Sequence, residues 1–132
     1  MNDERAKPID LKVRLKQFAL RIIKLCDALP RSRAADVIAR QIIRSGTSVG
    51  AQHREAHRAR SRAEFISKIE SALQERDETQ YWIELLADSG LIKPNRLGKL
   101  REESDELIAI LVASVRKAKQ SRTWKGDATP TV

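Results

Sequence analysis

Two long stretches of helical periodicity, joined by a short basic turn at Ala59-Arg60-Ser61, leave this chain few folds to choose from. Ser61 followed by Glu64 predicts a capping box: the serine oxygen takes a free backbone N–H and the glutamate reaches back. Phe65, Ile66, Ile69, Ala72 and Leu73 then recur at helical spacing. Before the turn, a helix beginning near Ser32 carries Val37, Ile38, Ile42, Ser45, Val49 and Ala56 on its inner face. Its middle, Ser45-Gly46-Thr47-Ser48-Val49-Gly50, has low helix propensity. The apolar phase is kept on both sides, so the reading is one continuous helix. Small residues there let another backbone approach, and the hydroxyls bond back to the preceding turn. The helix after the turn runs from Arg62 to about Asp88, with Trp82, Ile83 and Leu86 extending its apolar face. An unbroken polar run at 75–80 interrupts that face, and Gly90 is placed to end the helix in the left-handed region.

The flanks supply two more helices. Asp10 can cap the first, whose Leu11, Leu15, Phe18, Ile22, Leu25 and Leu29 form a seam for packing on other helices at a shallow angle. Pro30 ends it, because the residue before proline is pushed out of the α region. Pro94 fits the first turn of helix four, which carries Leu97, Leu100, Leu107, Leu111 and Val115 on one face. Residues 107–113 are apolar all the way round, which implies a second buried face. Ile108, Ile110 and Val112 are therefore the candidate contacts with another subunit. The expected organisation is a mobile lead-in at 1–9, an all-α four-helix domain at 10–120 and a basic, polar tail at 121–132. A chain of 132 residues is one domain by the usual prior, and long enough to need no disulfide or metal staple.

The single Cys26 cannot form an internal disulfide and reads as a reduced, buried small hydrophobe of a cytoplasmic protein. The first ten residues do not resemble a signal peptide, and no apolar run approaches the ~20 residues that span a bilayer. The net charge of +8 favours polyanionic partners. It is unevenly spread. Residues 31–62 hold eight arginines against Asp36 and Glu55, and residues 64–88 hold seven acids against Lys68 and Arg76. Residues 93–125 are basic again, with nine bases against four acids. Charge complementarity between neighbouring helices or subunits is the bland explanation; a basic surface for nucleic acid is the sharper one.

Several patterns imitate catalytic sites. Residues 46–50 match the G-x-S-x-G nucleophile elbow, but that motif needs a preceding strand, and no strand pattern is present. His53 and His57 stand four apart, a spacing that can bind metal, yet Arg54 replaces the glutamate of the zinc-protease motif and only Cys26 could add a ligand. Two solvated histidines are the better reading. Glu75 with Glu78, and Glu102 with Glu106, lack the Glu-x-x-His partners of a bundle-core metal site. The first pair is expected in a buried salt-bridge layer with Arg44 or Arg76, the second as solvated charge. No catalytic residue, metal site or cofactor is assigned.

The basic turn is the best functional candidate. Arg54, Arg58, Arg60 and Arg62 cluster where helices two and three meet, and Arg116, Lys117 and Lys119 form a basic end on helix four. Arginine offers bidentate phosphate contacts; an ordinary charged loop is the competing reading. Base stacking calls for exposed aromatics, and only Trp124 reads as free. The pattern favours phosphate contacts over sequence readout.

The run from Gln41 through Arg44, Ser45, Gly46, Thr47 and Ser48 to Ala51, then Arg54-Glu55-Ala56, Glu64-Phe65-Ile66, Glu78-Thr79 and Tyr81-Trp82-Ile83-Glu84-Leu85-Leu86, resembles a bacterial four-helix-bundle family. Its first members were found encoded in intervening sequences of large-subunit ribosomal RNA genes. Accessory variability proteins of diversity-generating retroelements are distant relatives. The resemblance covers roughly 18–115, closely in helices two and three and in pattern elsewhere. It implies an antiparallel up-down bundle and a ring of five bundles around a channel. It marks Arg44, Ser45, Ser48, Glu55, Glu78 and Trp82 as family-motif structural residues. The family has no established enzyme activity; the retroelement relatives bind a reverse transcriptase and nucleic acid. Gln52-His53 departs from the family's usual Asn-Tyr or Asn-Ile, which disturbs a buried hydrogen bond. The expectation is a non-enzymatic, self-assembling scaffold contacting RNA, DNA or a ribonucleoprotein. The alternative is a homo-oligomeric protein–protein adaptor without nucleic-acid binding.

Overall fold

In a computed structural model, which describes residues 10–121 and 124, four α-helices follow one another: α1 (Leu11–Asp27), α2 (Arg33–Ala56), α3 (Arg62–Asp88) and α4 (Gly98–Gln120). There is no strand among the described residues. The lead-in at 1–9 and all of the 121–132 tail except Ser121 and Trp124 lie outside the described residues.

Local chemistry sets each boundary. Asp10 accepts from the Lys12 N–H, Ser32 from the Ala35 N–H and Ser61 from the Glu64 N–H, so three helices start on side-chain caps. The return half of the expected capping box is shifted by one residue: the Glu64 carboxylate accepts from the Arg60 N–H at 3.3 Å. Gly90 closes α3 at φ +79°, a conformation that costs glycine nothing. Pro94 opens not α4 but a separate 3₁₀ turn (Pro94–Arg96), and α4 begins two residues later at Gly98.

Packing follows the apolar lines. Leu15, Phe18 and Ile22 of α1 are fully buried with Ile42 and Val49 of α2, Ile69, Ile83 and Leu86 of α3, and Leu97, Leu107 and Leu111 beside and within α4. Each such side chain contributes roughly 1.5–3 kcal/mol by leaving water. Val37 departs from the expected inner face and is exposed, because it stands about 100° round the helix from the half-buried Ile38. The helix α2 is continuous through 45–50. Thr47 and Ser48 donate back to the carbonyls of Ile43 and Arg44, at 2.7 and 2.6 Å. A Cβ on Gly46 would stand 3.0 Å from Ile22, and one on Gly50 3.4 Å from Leu15, so the two glycines seat α1 closely on α2.

Polar ties fix the order of the helices and their antiparallel sense. Along α2 and α3, Lys68 donates to Glu55 at 2.8 Å, while Arg44, earlier in α2, pairs with Glu75 and Glu78, later in α3. Between α3 and α4, Arg76 is 7% exposed and donates to the Ser104 hydroxyl (2.9 Å) and to Asp105 (2.8 Å). Arg14 of α1 holds Glu103 and Glu106 of α4 at 2.6 and 3.0 Å; Glu102 and Glu106 are exposed, as expected, and Glu106 also reaches Arg14 from the surface. The expected buried salt-bridge layer does not form: Glu75 and Glu78 pair with Arg44, which is half exposed and straps the bundle from outside, whereas the buried Arg76 turns to Ser104 and to the exposed carboxylates of Asp77 and Asp105.

Candidate nucleic-acid interface

The end of α2 and the turn after it project the arginines. His57 caps α2, and the Arg58 and Ala59 N–H groups donate to Glu55 and Ala56, keeping the turn tight. Ala59 is buried and plugs the turn, which leaves Arg54, Arg58 and Arg60 exposed around it. Arg62 sits half-buried in the first turn of α3. The antiparallel return of the chain brings the start of α1 to this same end. Asp10, Lys12, Arg54, His57 and Arg58 line a cleft of about 360 Å³. Lys12 was not singled out from the sequence, because the expected up-down topology sets the start of α1 beside the end of α2 without showing which α1 side chain faces it.

A second hollow adjoins the first and reaches α4. Its lining includes Asp10, His53, His57, Ile110, Ser114 and Lys117. The structure therefore joins Lys117 to the α2 end. Arg116 and Lys119 are exposed on α4, and Lys119 lies 3.5 Å from Glu70. Ile108, Ile110 and Val112 are half-buried. Among the described residues, the exposed large apolar side chains are elsewhere: Val13, Leu20 and Ile23 on α1, Val37 on α2 and Tyr81 on α3.

The two histidines are not the solvated pair expected. His53 is 4% exposed, and its Nε2 lies 3.0 Å from Nε2 of the exposed His57, the rings edge to face. Burial, then the neighbouring His57, push His53 down to about 4; Asp10 opposes this, and Arg54 and Lys12 add to it. Its Nδ1 is buried without a hydrogen-bond partner among the described residues, as is Oε1 of Gln52. The Gln52-His53 departure thus falls where two buried polar atoms lack partners. No group of three or more His, Cys, Asp or Glu placed to hold a metal ion occurs among the described residues. Trp124 is not free for base stacking: it is half-buried against Phe65, ring centroids 4.7 Å apart.

The family-motif residues lie away from the turn and face one another. Thr79 donates to the Ser45 oxygen at 2.8 Å, both fully buried. Glu78 receives Arg44 and the Trp82 indole N–H, the latter at 3.0 Å. Those two bonds, Arg44 first, hold the Glu78 carboxyl below the usual carboxylate range. Cys26 is half-buried, and burial raises its thiol to about 11, so it is a poor nucleophile.

A family model described as 23S rRNA-intervening sequence protein matches residues 9–113. The fold is similar to a crystal structure of a protein of unknown function from the S23 ribosomal protein family of Bacteroides thetaiotaomicron. The two share 38% identity over 81% of this chain and 99% of that chain, with a TM-score of 0.76. No curated protein matches the chain.

Proposed function

The chain belongs to the 23S rRNA-intervening sequence protein family, and from that premise we propose that it is a non-enzymatic, self-assembling scaffold that contacts RNA, DNA or a ribonucleoprotein through its basic end. The observation that carries this reading is the convergence of Lys12, Arg54, Arg58, Arg60 and Lys117 on one end of the bundle, where Asp10 is the one acid lining the two hollows. Arginines so placed grip phosphates without reading bases. The neighbour's assignment to a ribosomal protein family agrees with an RNA or ribonucleoprotein partner. Among the described residues, Ser48 sits mid-helix with its hydroxyl donated to the Arg44 carbonyl, not to a base.

Self-assembly is supported by the apolar stripe of Val13, Leu20 and Ile23 along α1 and by Tyr81 on α3. These helices are not neighbours in the α1–α2–α3–α4 order of packing, so copies joined through them would run head to tail, the heterologous contact from which a ring such as the pentamer the family resemblance implies is built. The same stripe favours the second reading, a protein–protein adaptor, of which a reverse transcriptase is one candidate partner. No described helix is long and apolar enough to cross a membrane, and the reading places the protein in the cytoplasm.

The test is anisotropy titration of labelled RNA and DNA at several salt concentrations, with the assembly mass followed by light scattering. Wild-type affinity should fall steeply with log salt. The double reversal Arg58→Glu, Arg60→Glu should weaken binding at least tenfold while leaving the mass and the thermal midpoint unchanged. Equal binding by the reversed protein would reject the basic end as the contact surface and turn the search to protein partners.

A further inference from the structure

Resting on the polyanion reading above, we propose that the cleft between the start of α1 and the end of α2 is a site for one phosphate group, and that the His53–His57 pair takes up a proton when phosphate enters it. The cleft holds three permanent cations, Lys12, Arg54 and Arg58, and the His57 imidazole, against one carboxylate. That carboxylate, Asp10, is partly engaged as the α1 cap, its Oδ1 accepting from the Lys12 N–H at 3.0 Å. From α4, Lys117 faces the two imidazoles across the adjoining hollow, where the α4 lining is otherwise uncharged. From α3, Phe65 meets His57 ring to ring, at 6.2 Å between centroids. A divalent cation chelated by the two histidines would meet the repulsion of Lys12, Arg54, Arg58 and Lys117; an anion is drawn by all four.

Proton accounting supplies the coupling. With Nε2 atoms 3.0 Å apart, one hydrogen lies between them. In the neutral pair, His53 donates from Nε2 and its buried Nδ1 is a bare lone pair. The reverse arrangement would bury an N–H with no acceptor, which is the rarer and costlier defect. Adding a proton puts a hydrogen on the buried Nδ1 whichever ring holds the shared one: the hydrogen between the two Nε2 atoms can rest on either, and the His53 Nδ1 then buries an N–H with no acceptor. The surrounding cations oppose the added charge as well. Phosphate in the cleft removes that electrostatic opposition, so phosphate and proton favour each other, and the linkage is reciprocal. The phosphate can belong to a nucleic-acid backbone or to a small phosphate compound.

The experiment compares wild type with His57→Gln, an exposed position, with the thermal midpoint of each protein measured beside it. Labelled oligonucleotide is titrated from about pH 5.5 to pH 8, across the histidine range. Inorganic phosphate is titrated calorimetrically in two buffers of different ionisation enthalpy. Wild-type oligonucleotide affinity should fall as pH rises, by up to about tenfold per pH unit for one linked proton, and H57Q should be flat. That result supports the site with nucleic acid as its source of phosphate. Oligonucleotide binding with the same pH profile in both proteins overturns the proton-coupled site and leaves the polyanion reading intact. Absence of oligonucleotide binding at low salt removes the polyanion reading, and inorganic phosphate then decides: proton uptake that H57Q loses assigns the cleft to a small phosphate compound, and no uptake overturns the proposal.

Discussion

The middle of the α2–α3 hairpin and its turn are built from the same residue types and treat them in opposite ways. In the middle, Arg44, Glu75, Glu78, Trp82, Ser45 and Thr79 satisfy one another across the two helices, and only Oε1 of Gln80 is left buried without a partner among the described residues there. At the turn, Gln52 and His53 keep buried polar atoms without partners, and Arg54 and Arg58 line an open cleft. Polar groups consumed inside a fold specify its register; polar groups left over are a cost that folding alone does not repay. The contrast assigns the middle to architecture and the turn to chemistry with something outside the chain.

The largest expected effect lies in the middle. Thr79→Val keeps the shape of the side chain but takes away the donor to the fully buried Ser45 oxygen, whose own hydroxyl reaches its acceptor, the Ile42 carbonyl, only at a long 3.5 Å. Leaving one buried partner unsatisfied costs about 1–3 kcal/mol, whereas replacing both with apolar groups is nearly neutral. Chemical denaturation should therefore show Thr79→Val clearly destabilised and the double variant Ser45→Ala, Thr79→Val recovering most of the loss. A double variant no better than the single one would mean that the pair is not a closed unit, and the contrast with the turn would weaken.

The second effect belongs to the turn and depends on pH. His53 is pushed from an ordinary 6.5 to about 4. Folded His53 therefore stays neutral over a range where the unfolded chain takes up a proton. The sign follows: the contribution is fully present above about pH 6.5 and is lost as pH falls toward about 4. The loss is roughly 2 kcal/mol, reduced from the full shift because water reaches this end of the bundle. Urea midpoints measured across that window should fall for wild type and stay nearly level for His53→Leu. Parallel curves would show that His53 titrates freely and is not a core residue.

That burial was legible in the spacing of α2. Ile42, Ser45, Val49, His53 and Ala56 form one line at three- and four-residue steps, and only the expectation that histidine seeks water obscured it. Caps and helix order were legible because they rest on local rules: Asp10, Ser32, Ser61 and Gly90 each act within one turn of their own position. The return of Trp124 onto Phe65 was not, since an irregular segment carries no period to extrapolate. The cleft was legible only in part: an antiparallel up-down bundle sets the start of α1 beside the end of α2, but not which side chains share the hollow between them. Sequence shows each helix face and the pairing of helix ends, and shows poorly which side chains meet there.

The smallest effect probes the outer strap of the middle. Glu78 lies below the usual carboxylate range because Arg44 and then the Trp82 indole stabilise its charged form. A depressed acid contributes stability that is present above its unfolded value and disappears as pH falls through the folded one. Arg44→Ala should therefore lower the urea midpoint slightly at neutral pH, and the gap to wild type should close in acid. Added salt should narrow it too, because the guanidinium is half exposed and its charge is screened. Trp82→Phe, which keeps Arg44 and removes only the indole bond to Glu78, should show a weaker form of the same acid dependence. If Arg44→Ala proved as costly as Thr79→Val, the strap rather than the buried hydroxyl pair would hold the register of the hairpin. The middle would then depend on exposed charge as the turn does, and the division between architecture and chemistry would have to be redrawn along the outside of the bundle.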